Sequence, residues 1–263
     1  MNYWILLLVS LLFSAVGFYM YIYFFSVGYG LSVAAIGVTL AILFAGKWNL
    51  GEMLCSLMLV IYGLRLSGYL LIREWKSAAY SKVLRPEMER SKKMPFGPKL
   101  AIWISCALLY TLETSPVLFR MQNDAPADWA LWLGLGLMVF GFTFELAADL
   151  QKTKAKKVNA YRFVDTGLYR IVRCPNYLGE MIFWLGVLVS GITALSGVWQ
   201  WIAALLGFVL IVYVMFSGAR RLEIRQDRNY GEDPAYQAYC KKVPILIPLL
   251  PLYSVKKYKF LSA

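Results

Sequence analysis

Long apolar runs separated by short polar segments dominate this chain. A helix that crosses the hydrocarbon core of a bilayer needs about 20 mostly apolar residues. Backbone polar groups inside lipid must also be paired within a helix or a closed barrel. The pattern therefore predicts an all-α, polytopic membrane bundle of about seven transmembrane helices, at 4–25, 31–47, 52–72, 100–118, 129–148, 177–195 and 198–217.

Composition supports this interpretation. Hydrophobic residues make up 60% of the 263 positions, and the mean hydropathy is +0.58, which is too apolar for a soluble domain of this length. The first apolar run has neither a basic segment before it nor a small-residue cleavage site after it, so we interpret it as a span and not as a cleaved signal peptide. We expect one integral membrane domain over 1–263.

The positive charge predicts the orientation of the bundle. Three polar segments, 73–99, 149–176 and the tail after 218, hold 24 of the 27 Lys and Arg residues. With seven spans, all three lie on one side, which the positive-inside rule makes cytoplasmic. The N-terminus is then outside and the C-terminus inside, in a bacterial inner membrane or, in a eukaryote, the endoplasmic reticulum. The net charge of +12 indicates contact with anionic membrane lipids, not with nucleic acid.

Residue types exclude several chemistries. The chain has no histidine, which removes most zinc and di-iron sites and every nucleophile that a histidine activates. Its four cysteines are scattered along the sequence, so their spacing suggests neither a disulfide framework nor a metal site.

The segment 161–180 is the strongest candidate for a binding site. A polar loop rich in arginine runs directly into an apolar helix that carries a carboxylate, and an ionisable group at membrane depth is a functional hypothesis by default. Arginine suits phosphate recognition, so the segment predicts a pocket for a nucleotide-type ligand. A juxtamembrane anchor for lipid headgroups is the alternative, although it would need the arginines and not Glu180. The candidates are Arg162, Arg170, Arg173, Asn176, Tyr177 and Glu180.

A second group lies in the third predicted span. Tyr62, Arg65 and Tyr69 follow each other at intervals of three and four residues, which places them on one helix face. A buried tyrosine beside a cation can donate a hydrogen bond to a substrate carbonyl, and an aromatic residue of the membrane interface is the alternative for each tyrosine. Glu113, in the fourth span ahead of Pro116, is a further candidate for proton transfer.

Several motifs resemble the steroid 5-alpha-reductase family and its bacterial relatives with a DUF1295-type domain. The similarity is good from about 140 to 250 and weak before that. It is carried by Phe144-Glu145-Leu-Ala-Ala-Asp149-Leu-Gln-Lys152, Gly167-Leu-Tyr-Arg170, Arg173-Cys-Pro-Asn-Tyr177-Leu-Gly-Glu180, Trp184 and Asp233-Pro-Ala-Tyr236-Gln-Ala-Tyr239. The spacing of Tyr62, Arg65 and Tyr69 is also similar to that of the steroid reductases.

The resemblance implies a seven-helix membrane enzyme that uses NADPH to transfer a hydride to the double bond of a lipophilic enone, with the substrate entering from the bilayer. It further implies that 1–118 form the substrate cavity and that 129–263 bind the cofactor. Tyr62, Arg65 and Glu113 would be catalytic. The cofactor residues would be Asp149, Lys156, Arg162, Arg170, Arg173, Asn176, Tyr177, Glu180, Arg220 and Tyr239. We expect Lys156 and Arg162 to contact the 2′-phosphate.

The chain departs from the steroid reductases in its second span. They carry a glutamate there, whereas 31–46 hold no acid here.

Two other functions stay open. Methyltransferases that act on isoprenylcysteine or phospholipids share part of the motif, but they have a histidine where this chain has Cys174 and a pair of glutamates where it has Glu223 alone. A lipid-binding or transport protein is the third possibility, and it would call for broken helices of the kind that transporters show.

Overall fold

The computed structural model describes residues 2–76 and 88–261. The described residues contain no strand, which confirms the all-α fold class. Their principal helices are α1 (Asn2–Ser14), α2 (Val27–Leu43), α3 (Leu50–Lys76), α4 (Phe96–Gln122), α5 (Trp129–Val158), α6 (Pro175–Gly191), α7 (Gly197–Tyr230) and α8 (Pro234–Lys242). Short 3₁₀ turns occur at Ala15–Phe18, Tyr21–Phe25 and Gly167–Arg170. Much of the predicted basic loop 73–99 lies outside the described residues.

Five segments are long and apolar enough to cross a membrane, and they match five of the seven predicted spans. They are Tyr21–Leu43, Leu50–Ile72, Phe96–Gln122, Trp129–Val158 and Gly197–Tyr230. The 17 residues of α6 rise roughly 26 Å, slightly less than the roughly 30 Å of a hydrocarbon core. The total of seven spans and the orientation stay predictions.

The first predicted span, 4–25, is wrong as a single helix. Helix α1 ends at Ser14, and Met20 between the two following turns is extended, with φ −145° and ψ 121°. A side chain at Gly17 would overlap the ring of Phe24, which packs directly on that glycine. The hydroxyl of Tyr110 on α4 also donates a hydrogen bond to the carbonyl of Phe24. These contacts hold the chain in a turn, and the second span consequently begins and ends earlier than the predicted 31–47.

The chain forms two compact units. Unit 1 comprises Met1–Leu135 and Val187–Phe208, and unit 2 comprises Gly136–Gly186 and Val209–Ala263. Tyr62, Arg65 and Glu113 belong to unit 1. All ten residues predicted to bind the cofactor belong to unit 2.

Small residues bring α2 and α3 of unit 1 into close contact. A Cβ on Gly63 would overlap the carbonyl of Gly30 and lie 2.6 Å from the Ala34 nitrogen, and a Cβ on Gly37 would lie 2.7 Å from the Ser56 carbonyl oxygen. Ser67 Oγ donates to the Val27 carbonyl at 2.9 Å across the same pair. Close backbone approach through small residues is the usual way in which helices associate inside lipid.

A buried arginine organises the loop between α4 and α5. Arg120 is 1% exposed, and its guanidinium donates to the Ser190 and Pro126 carbonyls, to Thr193 and to both carboxylate oxygens of Asp128. Burial alone would raise the pKa of Asp128, but hydrogen bonds from Thr193, the Leu131 amide and Arg120 lower it to about 2. Asp128 is therefore ionised at neutral pH, and its pair with Arg120 joins this loop to the segment after Ser190.

Gly63→Ala should destabilise the protein, because the added methyl group collides with the backbone of α2 and helices in close contact cannot separate without losing packing. Typical costs of such overpacking are about 1–3 kcal/mol. Gly68→Ala on the same helix is the matched control, since nothing lies within 4 Å of its Cβ position. Thermal unfolding in detergent should lower the midpoint for Gly63→Ala alone, and equal midpoints for the two variants would contradict the close contact.

Candidate functional site

In unit 2, a lysine cation holds the loop that follows α5. Lys156 Nζ donates to the Ala160 carbonyl at 3.0 Å, to the Arg162 carbonyl at 2.6 Å and to the Tyr230 hydroxyl at 2.9 Å. A cation at the C-terminal end of a helix also interacts favourably with the helix dipole. Lys156 thus fixes the first turn of the loop, and any contact between this lysine and a phosphate stays a prediction.

The loop returns to α5 at a glycine that the backbone requires. Gly167 has φ +61°, in the left-handed region, and a Cβ there would lie 2.8 Å from Cδ of Gln151. The next residue, Leu168, donates its amide to Gln151 Oε1 at 2.8 Å. Gln151 therefore serves as the acceptor that holds the far end of the loop against the helix.

An aromatic cluster attaches the same loop to α8. Phe163 is buried and stacks on Tyr239, with ring centroids 5.4 Å apart. Its ring also meets Tyr236 edge-on at 5.3 Å and lies 6.1 Å from Tyr230. Tyr239 donates its hydroxyl to the Tyr169 carbonyl at 2.7 Å, and burial raises its pKa. These rings pack around Phe163 and hold that side of the loop against α8.

A groove of about 440 Å³, with both apolar and polar side chains in its lining, opens between α5 and this loop. Its lining includes Gln151, Lys154, Asn159, Arg162, Asp165 and Thr166. Arg162 forms an ion pair with Asp165 at 2.6 Å, and its side chain is 52% exposed. The volume lies within the range of about 300–1,000 Å³ for small-molecule pockets, and lysine and arginine at the rim provide donors for a phosphate group.

The entrance to α6 is held by a buried ion pair. Arg173 Nη2 lies 3.0 Å from Glu223 Oε1 on α7, and the two side chains are only 2% and 3% exposed. The other carboxylate oxygen of Glu223 accepts the amides of Val255 at 2.9 Å and Lys256 at 3.1 Å. Burial alone would lower the pKa of Arg173, but Cys240 and Glu223 raise it above its ordinary value.

The tail completes this arrangement. Arg173 and Cys174 donate their amides to the carbonyls of Pro244 and Ile245 at 2.9 and 3.0 Å, and Arg173 also donates to the Tyr253 carbonyl. A buried apolar cluster that includes Cys174, Ala219, Leu246 and Leu261 lies beside these bonds. Burial raises the pKa of the Cys174 thiol to about 12, so this cysteine stays protonated at neutral pH.

Helix α6 packs closely on both neighbouring helices of unit 2. A Cβ on Gly179 would lie 2.7 Å from the Glu145 amide nitrogen on α5, and one on Gly218 of α7 would lie 3.3 Å from the Tyr177 ring. Asn176 and Glu180 are one turn apart on α6, so they share a face. Glu180 is 7% exposed, which places its carboxylate in the interior of the unit, as the sequence predicted.

Unit 1 contains a separate cluster of buried tyrosines from three helices. Tyr29 of α2 stacks on Tyr110 of α4 at 4.9 Å, and its ring meets Tyr62 of α3 edge-on at 6.4 Å. Tyr62 is fully buried, and Glu113, one turn after Tyr110, is 3% exposed. Arg65 is half-buried on the turn after Tyr62. Tyr62 and Glu113 therefore lie in a protein interior on α3 and α4, whereas Arg65 is only partly covered.

Comparison with known proteins gives the family. Residues 22–243 match the family described as Protein of unknown function (DUF1295). The chain belongs to the DUF1295 family.

Relatives of this DUF1295 protein with curated descriptions include the following three. An uncharacterized protein of Schizosaccharomyces pombe is 29% identical over 54% of this chain and 46% of its own length. A very-long-chain enoyl-CoA reductase of Dictyostelium discoideum is 30% identical over 49% of this chain and 39% of its own. A steroid 5-alpha-reductase of Gossypium hirsutum is 32% identical over 35% and 32%. The chain thus matches less than half of each relative, and no solved structure matches it.

The described contacts of the DUF1295 protein connect several predicted cofactor residues. Lys156, Arg162 and Tyr239 hold or line the loop, and Arg173 joins the loop to the tail. Arg220 donates to the Lys256 carbonyl at 3.1 Å. The exposed Arg170, the half-buried Asp149, Asn176 and Tyr177, and the buried Glu180 lie on the loop, α5 and α6 of the same unit. Their roles toward a cofactor stay predictions.

Sequence reasoning missed the side chains that position this loop. Glu223 attracted notice only because a second glutamate was absent beside it, and Gln151 only as part of a motif. Phe163, Tyr230 and Asp227 gave no separate signal, although Asp227 accepts from Tyr236 at 2.9 Å and from Lys256 at 2.6 Å. The partners of these residues are distant in sequence, so their spacing carries no periodic pattern.

Glu223→Ala should strongly destabilise unit 2, because it leaves the Arg173 guanidinium buried without its counter-charge. Removing one partner of such a pair typically costs about 3–5 kcal/mol. Glu232→Ala is the matched control, since Glu232 is exposed just beyond α7. Thermal unfolding and limited proteolysis of the tail should both report the loss for Glu223→Ala.

Glu223→Gln should have an unfolding midpoint between those of Glu223→Ala and Glu232→Ala, because its amide oxygen still accepts hydrogen bonds but carries no charge. A Glu223→Ala protein with the unfolding midpoint and protease resistance of Glu232→Ala would show that the ion pair does not hold the tail.

Proposed function

We propose that this protein is an NADPH-dependent membrane reductase that saturates a carbon–carbon double bond conjugated to a carbonyl in a lipophilic substrate. The observation that carries the proposal is the DUF1295 match over 22–243. The similarity of this chain to an enoyl-CoA reductase and to a steroid 5-alpha-reductase supports it. The five apolar helices support a substrate that reaches the protein from the bilayer.

The groove of unit 2 fits the phosphate groups of such a cofactor. Lys154 and Arg162 supply cationic donors at its rim, and Asn159 and Thr166 supply neutral polar groups. Arg162 is exposed to solvent and paired only with the neighbouring Asp165 among its described charge partners, so a ligand phosphate can compete for its guanidinium. The buried carboxylate of Glu180 is assigned to the polar, uncharged head of the same ligand, as an acceptor of hydrogen bonds.

The chemistry requires a hydride at the β carbon, a proton at the α carbon and stabilisation of negative charge on the carbonyl oxygen. When bound, NADPH would supply the hydride. Tyr62 is assigned the hydrogen bond to the carbonyl oxygen, because its hydroxyl is on a fully buried side chain. A donor in a water-excluded site stabilises developing charge more than the same donor in water. The positive charge of Arg65 stabilises the negative charge on the carbonyl oxygen, and Glu113 is assigned the transfer of the proton to the α carbon.

A methyltransferase is the rival function that the shared motif left open. The curated relatives that carry a functional name are reductases, which favours the reductase. The two functions require different cofactors, so one binding experiment distinguishes them.

Arg162→Ala should weaken NADPH binding by about 10-fold to 100-fold, because a hydrogen bond between charged groups contributes roughly 1.5–3 kcal/mol. NADH affinity should change little, since NADH lacks the 2′-phosphate. Arg228→Ala, which removes an exposed arginine from the end of α7, should leave both affinities unchanged. Isothermal titration or fluorescence of the purified protein measures each constant.

The unsubstituted protein should bind NADPH more tightly than NADH, and both more tightly than S-adenosylmethionine. Equal affinities for the two dinucleotides would contradict the phosphate assignment. Tighter binding of S-adenosylmethionine would replace the reductase with the methyltransferase.

Tyr62→Phe should lower turnover of an accepted substrate by about 100-fold to 1,000-fold, the usual cost of losing one hydrogen-bond donor to a developing oxyanion. NADPH affinity should stay within a few-fold. Tyr29→Phe is the matched control, because it removes a hydroxyl from the same aromatic cluster and keeps the ring contacts. Turnover of Tyr62→Phe close to that of Tyr29→Phe would show that the Tyr62 hydroxyl has no part in the reaction.

A further inference from the structure

An apolar groove of about 300 Å³ lies between α7 and the end of the tail in unit 2. Aromatic and aliphatic side chains line it, chiefly Tyr213, Phe216, Leu252, Tyr258, Phe260 and Leu261. The Tyr213 hydroxyl donates a hydrogen bond to the Phe260 carbonyl at 2.7 Å, and the amides of Tyr258 and Leu261 donate to the carbonyls of Val255 and Tyr258 at 3.1 Å, so these polar groups of the lining are already paired. The groove suits a hydrocarbon chain better than a polar ligand.

The groove lies beside the part of α7 where the apolar stretch ends and the first charged residues follow, as is typical of a membrane boundary. Helix α7 is apolar from Val198 to Phe216 apart from Gln200, and its first charged residues are Arg220 and Arg221. The groove contacts α7 at Tyr213 and Phe216, within one or two turns of those arginines. Tyrosines and snorkelling arginines are enriched at this depth, where acyl chains meet headgroups.

Positive charge surrounds the rim. Lys257 Nζ lies 5.0 Å from the ring centroid of Tyr258, a lining residue, and Lys259 is exposed between Tyr258 and Phe260. Arg220 is held beside them by its bond to the Lys256 carbonyl. The carboxylates of this region have other partners, since Glu223 binds Arg173 and the tail amides and Asp227 binds Lys256 and Tyr236.

We propose that this groove and its rim form a binding site for an anionic phospholipid. One acyl chain lies along the apolar lining, and the phosphate group is bound by Lys257, Lys259 and Arg220. An apolar channel that ends in a cluster of cations is complementary to this amphipathic ligand and to neither a free anion nor a zwitterionic lipid alone. Arg220 binds the lipid phosphate in this assignment, and the cofactor role that the resemblance implies for it stays a separate prediction.

A lipid bound in this groove would stabilise the tail. Leu249 is 91% exposed and Phe260, which follows Lys259, is 67% exposed, so the tail presents apolar side chains outward as well as lysines. A segment with this composition lies in the interface of a bilayer with anionic lipids. Lipid bound there stabilises the tail, including Val255 and Lys256, whose amides donate hydrogen bonds to Glu223.

The test uses the full-length protein in neutral detergent and measures its unfolding midpoint with added phosphatidylglycerol, phosphatidylcholine of the same chains, or inorganic phosphate. A ligand that binds only the folded state raises the midpoint in a saturable way. We expect a rise of about 5 °C with phosphatidylglycerol and little change with the other two. An equal rise with phosphatidylcholine, or with phosphate alone, would overturn the proposal.

Paired variants locate the site. Lys257→Ala with Lys259→Ala should weaken phosphatidylglycerol binding about 10-fold, the usual effect of losing charged hydrogen bonds worth one decade in affinity. Lys241→Ala with Lys242→Ala removes the same charge from exposed positions at the end of α8 and should leave binding unchanged. Equal losses in both pairs would show diffuse attraction to an anionic surface and no site.

Phe216→Trp tests the acyl chain, because a larger ring fills the groove. It should reduce the midpoint shift with phosphatidylglycerol and keep the lipid-free midpoint within a few degrees. If Phe216→Trp lowers the lipid-free midpoint further, bound phosphatidylglycerol is counted by native mass spectrometry at a temperature where the variant is folded. Unchanged lipid binding there would overturn the groove assignment. None of these readouts requires catalysis, so they are independent of the proposed reductase activity.

Discussion

One carboxylate, that of Glu223, determines the arrangement of unit 2. It is buried on α7 and accepts hydrogen bonds from the Arg173 guanidinium and from two amides of the tail. A charge taken out of water is tolerated only when its partners have good geometry and satisfy its lone pairs. Glu223 therefore fixes three separate segments at once, namely α7, the entrance to α6 and the residues around Val255.

The position of the loop before α6 depends on Glu223, because Arg173 at one end of the loop is the ion-pair partner of that carboxylate. Polar contacts hold the loop at other positions as well. Lys156 holds the first turn after α5 and Gln151 binds Leu168 further along the loop, whereas Arg173 holds the end near α6. Phe163 anchors the middle against the tyrosines of α8. The groove beside the loop consequently has a preorganised wall, and preorganised donors are what a bound phosphate needs. This explains why the tail, which lines no part of that groove, still matters to the proposed cofactor site.

Five spans could be predicted because long apolar runs between charged segments are a strong local signal. The break after Ser14 could not, because the contact of Gly17 with Phe24 leaves hydropathy unchanged on both sides. The sequence placed Glu180 in an apolar helix and left Tyr62 either buried or at the membrane interface; both side chains are buried. The partner of Arg173 could not be predicted, since Glu223 lies 50 residues away and no periodic pattern links the two positions. Sequence patterns report which face a residue occupies, and they do not report which distant residue meets it.

The long-range contacts of Glu223 also constrain when unit 2 can mature during synthesis. Its partners are encoded 50 residues before it and 32–33 residues after it. While the ribosome is still translating α8, the amides of Val255 and Lys256 do not yet exist, and the newly made pair of Arg173 and Glu223 has only part of its final hydrogen bonding. Each apolar helix can enter the membrane in turn as it is made. The polar end of the protein, by contrast, must wait for the tail to emerge, so a truncated transcript would yield a chain that is inserted and yet incompletely folded.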